Sequence, residues 1–367
     1  MAGYLYNLAT DKAKGFIPSI LKAFLFILSI VYGLFIRAMS FFQQLFACRL
    51  NCKIISVGNI TLGGTGKTTI VEYVVRELRA RGRKVAIVSR GYKRVSDERE
   101  TEVGVKGPEN RNRCQGVNEM GDEPYMLQKK LKDIPVVVDA DRVRGIKKAI
   151  RDFGVDTVVL DDAFQQWRIK KDLEIVAVDC TNPFGNKHML PRGILREPLS
   201  SLRRADVFML TKANLCSGIT AVRGALKNIN PSAAIFESWH QPADFSMLNA
   251  PGQEFPADSL KGKNIGAFCG IGDPVSFENT LKNLGGHIGI SLRFPDHHNY
   301  TGLDLGNIIK SCRDSDIDTI VTTEKDAVRV LGILPDKTSC KFLVLRIELK
   351  LKDEQGFRDR LLKLYPL

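Results

Sequence analysis

The sequence is short of the features that staple small or metal-bound proteins. Its eight cysteines are scattered, only Cys48 and Cys52 stand close together, and no Cys-x-x-Cys occurs. Neither a zinc site nor a disulfide framework follows, and a reducing cytosol fits best. No repeat of solenoid period and no low-complexity tract is present, so 367 residues leave room for one large domain or two. Basic residues cluster at Arg79, Arg81, Arg83 and Lys84, at Arg142, Arg144, Lys147 and Lys148, and at Arg203 and Arg204. They are not interleaved with aromatics and no nucleic-acid module is recognisable, so nucleic acid is not expected as a partner. Most of them read as solvated helix faces. The net charge of +13 still favours an anionic partner, either a phosphorylated substrate or a membrane surface. No obligate protein partner is indicated.

Long apolar runs are also scarce. The one that stands out is the uncharged stretch 23–36, which Arg37 interrupts and Phe41, Phe42, Leu45 and Phe46 resume. It is short of the roughly 20 residues of a bilayer span, and no small-residue cleavage site follows, so a secretory signal is not expected. Lys12, Lys14 and Lys22 precede the run and Arg49 follows it. Cations on both sides suit a helix lying in the cytoplasmic leaflet. A true span and a buried core helix are the alternatives.

What the chain does have is a glycine-rich turn in a telling place. The β-branched run of Ile54, Ile55 and Val57 breaks into Thr61, Leu62, Gly63, Gly64, Thr65, Gly66, Lys67, Thr68 and Thr69. Ile70, Val71, Val74, Val75 and Leu78 then recur at helical steps. Strand, glycine turn and helix are the setting of a phosphate-binding loop, where backbone N–H groups and a helix start converge on phosphate oxygens. Lys67 would reach the β- and γ-phosphates of ATP, and the Thr68 hydroxyl would bind Mg²⁺. The usual pattern has glycine where Thr61 stands, and the Gly63-Gly64 pair is expected to restore the turn. A tight turn that binds nothing is the plain alternative.

From residue 53 onward strands and helices alternate. Strands are expected at 54–57, 85–89, 134–138, 157–160, 175–178 and 207–210, and again at 265–269, 288–292, 317–322 and 342–345. That alternation predicts an α/β fold, a P-loop NTPase-type parallel sheet with helices on both faces, followed by a smaller C-terminal α/β domain. The expected segments are an N-terminal membrane-facing helix in 1–50, a P-loop core in 51–235, a proline-bearing linker in 236–258 and the second domain in 259–367. Residues 93–119 read as a long loop, a candidate lid.

Chemistry-bearing residues stand at expected strand ends, where ligands of such sheets collect. Asp161 and Asp162 close one strand and would place the metal, unless Asp162 only caps a helix. Asp122 and Glu123 open a helix after Gly121; either could accept a hydroxyl proton, and both also fit ordinary helix-start grammar. Phe294-Pro-Asp-His-His-Asn-Tyr300 carries two of the five histidines, and a histidine there could tune a carboxylate. Thr322-Thr-Glu-Lys-Asp326 is a further polar cluster, with Glu324 and Lys325 set either to line a cleft or to cap a helix.

Taken in order, Val57-Gly-Asn-Ile-Thr-Leu-Gly-Gly-Thr-Gly-Lys-Thr68, Ser89-Arg-Gly-Tyr92, Gly121-Asp-Glu-Pro124, Asp141-Arg142, Asp161-Asp-Ala-Phe-Gln165, Leu195-Arg-Glu-Pro198, Phe294-Pro-Asp-His297 and Thr322-Thr-Glu-Lys-Asp326 resemble the motif series of the tetraacyldisaccharide 4′-kinase family. The similarity runs from about residue 15 to the C-terminus. The resemblance implies a transferase of lipid A biosynthesis, dependent on ATP and Mg²⁺. Such a kinase phosphorylates the 4′-hydroxyl of an acylated glucosamine disaccharide 1-phosphate to give lipid IVA, at the cytoplasmic face of the inner membrane. It further implies Asp122 as the catalytic base paired with His297, Glu123 as a neighbouring acid, Lys67 and Thr68 as phosphate and metal ligands, Asp162 with Asp161 at the metal, and Gln165 as a polar group of the nucleotide site. Three departures stand out. Ala163 replaces a glycine and Gln166 a histidine in the Asp-Asp-Gly-Phe-Gln-His motif, and Arg192 stands where a small residue is expected. A phosphate-loop ATPase or GTPase that acts as a switch or partitioning factor is the rival reading; it would need no base at Asp122 and no lipid-facing helix.

Overall fold

The structure, a computed structural model, describes residues 8, 11, 13–91, 102–104, 120–250, 252–335, 338 and 340–365. The chain forms two compact units. The first comprises Met1–Arg90, Asp141–Trp239 and Leu349–Leu367, and the second Gly91–Ala140 and His240–Glu348.

The first unit opens with α1 (Phe16–Leu45) and is built on a parallel sheet. Its strands are β1 (Lys53–Asn59), β2 (Val85–Ser89), β5 (Thr157–Asp161), β6 (Leu173–Asp179), β7 (Val207–Thr211) and the start of β8 (Ala234–Met247). They lie in the order β8-β7-β6-β1-β5-β2. Strand β1 has β5 on one side and β6 on the other, which makes its carboxyl end the switch point where such sheets bind ligands. The strands are buried on both faces, as their unbroken Val/Ile/Leu runs require. Helices α2 (Lys67–Ala80), α4 (Arg142–Phe153), α5 (Ile219–Ile229) and α9 (Glu354–Leu362) complete the unit. Phe164, Phe208, Leu202 and Leu226 fill the core beside β6 and β7.

The second unit holds α3 (Asp122–Lys130), a parallel sheet ordered β11 (His287–Arg293), β10 (Asn264–Cys269), β12 (Thr319–Thr323), β13 (Lys341–Leu351), and the helices α6 (Pro274–Asn283), α7 (Gly302–Asp314) and α8 (Glu324–Val330). Two antiparallel pairs join it: β3 (Glu102–Gly104) with β4 (Val136–Val138), and the later residues of β8 with β9 (Glu254–Pro256).

The parallel α/β architecture agrees with the expectation. The division of the chain does not follow the expected segments. The expected linker is largely strand, because Phe236, Ser238 and Phe245 are buried at even and odd steps along β8 despite Pro242. Residues 91–140 belong to the second unit, and the chain returns to the first after residue 348. Of the expected lid 93–119, only 102–104 lies within the described residues.

Helix α1 is longer than the apolar run that announced it. It is long and apolar enough to cross a membrane by length and composition. Only Ser29, Gly33, Ile36 and Ser40, spaced three and four apart on one stripe, are buried. Phe24, Ile27, Val31, Leu34 and Phe35 are exposed, which is not the pattern of a core helix.

Candidate active site

In the first unit the loop after β1 is held by its backbone. Leu62 N–H donates to the Ile194 carbonyl at 2.8 Å, and Arg196 N–H to that of Ile60 at 2.8 Å. Thr61 pairs with Leu195 in an antiparallel bridge. Position 61 is therefore extended, and a threonine fits where the common pattern has glycine. The left-handed positions are Gly63 (φ 112°) and Gly66 (φ 77°), and only glycine takes such angles without strain. Gly58 is needed for a different reason. A Cβ there would stand 2.5 Å from the Phe164 backbone nitrogen.

Helix α2 starts at Lys67, immediately after the loop, and points its positive end at it. Lys67 Nζ donates to Asn59 Oδ1 at 3.2 Å and lies 3.6 Å from Asp162 Oδ1. Asn59 Nδ2 donates to the Thr61 carbonyl at 2.7 Å, so one side chain braces both the loop and the lysine. Arg196 Nη1 reaches both Asp162 oxygens at 3.0 Å. Burial pushes the Asp162 carboxyl up, but Lys67 and Arg196 outweigh it and hold it below the usual carboxylate range. Asp161 is buried. Its Oδ2 accepts from the Ser89 hydroxyl at 3.3 Å, and its carbonyl from Arg142 at 3.0 Å. Gln165 donates to the Asn59 carbonyl and to Glu197, each at 3.1 Å.

The loop fits a polyphosphate. The Thr65 hydroxyl is buried with no partner among the described residues, and the space beyond Gly63 and Gly64 is open. Among the described residues no group of three or more His, Cys, Asp or Glu could hold a metal ion. A divalent ion there would have to draw on phosphate oxygens and water besides Thr68 and Asp162, which is how Mg²⁺ is usually bound.

The second unit carries the other cluster. Gly121 (φ 85°) starts α3, which places Asp122 in its first turn. His297 sits in the loop after β11 at φ 61°. Asp122 Oδ2 lies 3.1 Å from His297 Nδ1. The same oxygen accepts from Arg329 Nε at 2.9 Å and Nη2 at 2.5 Å. Burial pushes the Asp122 carboxyl up, but His297 and Arg329 hold it down at about 2. Glu123 is paired with Lys325 at 2.5 Å, and Lys130 with Glu324 at 2.9 Å. The threonine of the Thr322–Asp326 cluster that caps α8 is Thr323, whose hydroxyl accepts from Asp326 N–H at 3.2 Å.

The structure thus brings Lys67 to Asp162 in one unit and Asp122 to His297 in the other. Sequence reading passed over Arg329, Asn59 and any role for Arg196. Only the i, i+3 spacing from Asp326 to Arg329 on α8 hinted at the first. The methyl of Ala163 causes no backbone conflict, because the positive φ lies one residue earlier, at Asp162 (48°). Arg192 ties down the amino-terminal segment through Asp11 at 2.7 Å and the Leu8 carbonyl at 3.3 Å.

A phosphate loop at the switch point of a parallel sheet, and a half-buried carboxylate with an imidazole neighbour, define a phosphotransferase of the P-loop class. Comparison with known proteins is more specific. The family model described as tetraacyldisaccharide-1-P 4′-kinase (LpxK) matches residues 21–365. A tetraacyldisaccharide 4′-kinase of Halothermothrix orenii is 36% identical over 342 residues, 90% of this chain and 88% of that protein. One of Desulfatibacillum aliphaticivorans is 37% identical over 359 residues, 95% and 93% of the two chains. The crystal structure of Aquifex aeolicus LpxK in complex with ATP matches with a TM-score of 0.73 and 28% identity, over 94% of this chain and all of that one. The chain belongs to the tetraacyldisaccharide-1-P 4′-kinase family. It is a kinase, and the switch-protein reading falls.

Proposed function

We propose that the protein transfers the γ-phosphoryl group of ATP to the 4′-hydroxyl of a tetraacylated glucosamine disaccharide 1-phosphate, giving lipid IVA. The observation that carries this reading is the setting of Lys67. Its ammonium group is fixed by Asn59 and Asp162 at the start of α2, beside an open glycine loop. Phosphoryl transfer has a loose transition state, so positioning and cations matter more than covalent chemistry. Lys67 and the loop N–H groups bind and orient the phosphates, and Arg196 keeps Asp162 ionised and aimed. Thr68 and Asp162, with Asp161 behind them, would hold Mg²⁺, which when bound adds charge neutralisation on the phosphate oxygens.

Asp122 is the proton acceptor in this reading. A carboxylate held near 2 is a weak base, and that suffices where bond formation to the hydroxyl oxygen is late. Glu123 is tied to Lys325 and serves to fix the start of α3.

Helix α1 is the membrane element, lying on the cytoplasmic face of the inner membrane. Its small and polar stripe packs on its own unit: Gly33 lets Met189 approach, Phe26 meets His188 edge-on at 5.4 Å, and Tyr32 donates to the Arg196 carbonyl at 3.1 Å. The opposite, apolar face is left for acyl chains, with the exposed Lys14 and Arg37 available to anionic headgroups. A helix bonded along one side to its own unit is suited to lie on a bilayer, not to cross it. The deciding experiment is direct. Purified protein is incubated with ATP, Mg²⁺ and the monophosphorylated disaccharide lipid, and the product is weighed by mass spectrometry. A second phosphate on the lipid supports the proposal; ATP hydrolysis with no phosphorylated lipid sinks it.

A further inference from the structure

We propose that Lys171 is a positioning residue that holds the Asp162 carboxylate beside Lys67 by tying down the two residues that follow it. The inference rests on the kinase reading above for its purpose, but not for its geometry. Lys171 Nζ donates to the Ala163 carbonyl at 2.6 Å and to the Phe164 carbonyl at 3.3 Å. A carbonyl oxygen only accepts. The direction of both bonds is therefore fixed, and it is the same for an ammonium group and a free amine.

The place of these bonds in the fold gives them their weight. Strands β5 and β6 pair with opposite sides of β1, so the connection between them, residues 162–172, passes over β1. It contains neither helix nor strand, and its peptides need partners from elsewhere. It lies so close to the sheet that a Cβ on Gly58 would stand 2.7 Å from the Phe164 Cβ. Ala163 N–H donates to the Val57 carbonyl at 3.3 Å, and Gln166 N–H to the Ala163 carbonyl at 3.0 Å. No backbone N–H among the described residues donates to the Phe164 carbonyl; Lys171 does. The lysine side chain is 8% exposed, and Glu174, which pairs with it, is 7% exposed. A buried ion pair seldom adds stability over apolar side chains of the same size. An apolar side chain, however, could not donate to either carbonyl.

Asp162 is the residue that needs such a brace. Its φ is 48°, a conformation that a residue with a side chain adopts singly and under constraint. Before it, Asp161 is fixed in β5. After it, Lys171 fixes the next two carbonyls. The carboxylate is thereby left one direction, toward Arg196 Nη1 at 3.0 Å and Lys67 Nζ at 3.6 Å. Releasing the two carbonyls lets residue 162 relax to negative φ. Its carboxylate then swings off Lys67 and off the place where it would hold Mg²⁺.

The test is a double-mutant cycle in the full-length protein, because a residue that acts through Asp162 must lose its effect once Asp162 is disabled. Mg²⁺·ATP binding is read by calorimetry and kcat by lipid phosphorylation. Lys171→Met should weaken Mg²⁺·ATP binding about fivefold or more and lower kcat about tenfold or more, as small misplacements in such sites do. In an Asp162→Asn background the same change should add less than about twofold to either. Lys171→Arg keeps donors for both carbonyls and should stay within about threefold of the wild type. Full additivity of Lys171→Met and Asp162→Asn overturns the proposal. So does a folded Lys171→Met that loses melting temperature alone, or a loss in Lys171→Arg as deep as in Lys171→Met. If Lys171→Met does not fold because Glu174 is left without its partner, Lys171→Met with Glu174→Gln takes its place in the cycle and is judged in the same way. Failure of the wild type to phosphorylate the lipid would refute the proposed function, and the binding arm of the cycle would still decide the role of Lys171.

Discussion

The Tyr32 hydroxyl donates to the carbonyl oxygen of Arg196 at 3.1 Å. Arg196 in turn gives its N–H to Ile60 and its guanidinium to Asp162. A single residue therefore links the apolar amino-terminal helix to the phosphate loop and to the carboxylate beside Lys67, all within the first unit. Tyr32→Phe removes only the donor. It should cost about 1 kcal/mol, seen as a melting point lower by about 2–4 °C, with ATP affinity reduced along with it. Thermal denaturation and nucleotide titration check both.

The exposed face of α1 can be tested without disturbing that link. Ile27 and Val31 are about 60% exposed (61% and 59%) and lie away from the buried stripe. Ile27→Glu with Val31→Glu should leave the melting curve within about 1 °C, since exposed substitutions seldom alter stability. Sedimentation with anionic vesicles should fall at least about tenfold, because two buried apolar side chains are lost and two carboxylates meet like charge. Unchanged sedimentation would refute the surface reading of the helix.

Lys67 and Asp122 should fail in different ways. Lys67→Ala removes a cation from the phosphates, and lipid phosphorylation should drop on the order of 10²–10³-fold with weakened nucleotide binding. Asp122→Asn keeps shape but cannot accept a proton, and turnover should fall on the order of 10²-fold or more with ATP binding intact. Equilibrium dialysis of ATP, run beside the lipid assay, separates the two.

Acid should destabilise the second unit through Asp122. Its folded carboxyl is held at about 2, below the ordinary 3.8. A depressed carboxylate contributes stability that is fully present above the unfolded value and lost as pH falls toward the folded one. The loss, on the order of 1–2 kcal/mol after allowing for solvent screening, should fall between about pH 4 and pH 2. Asp122→Asn should flatten that part of the denaturation profile followed by circular dichroism.

The strands of both parallel sheets were legible because buried strands must be apolar along their whole length, and runs such as Val158-Val159-Leu160 leave no other reading. Strand β8 was not legible. Its buried positions are separated by Glu237, His240 and Pro242, and it becomes a strand because β7 and β9 pair with it. Ser56 and Glu174 were equally opaque, being polar side chains sunk inside the sheet.

The phosphate loop, the Asp161-Asp162 pair and the Asp122 and His297 candidates were carried by the chain itself, since each follows a strand or opens a helix and local grammar marks such places. Which charges meet was decided by tertiary structure alone. Arg329 reaches an aspartate 207 positions away, and Arg196 reaches Asp162 across 34. No local pattern encodes such partners, because a guanidinium on a long side chain pairs with whatever carboxylate the packing of the core delivers to it.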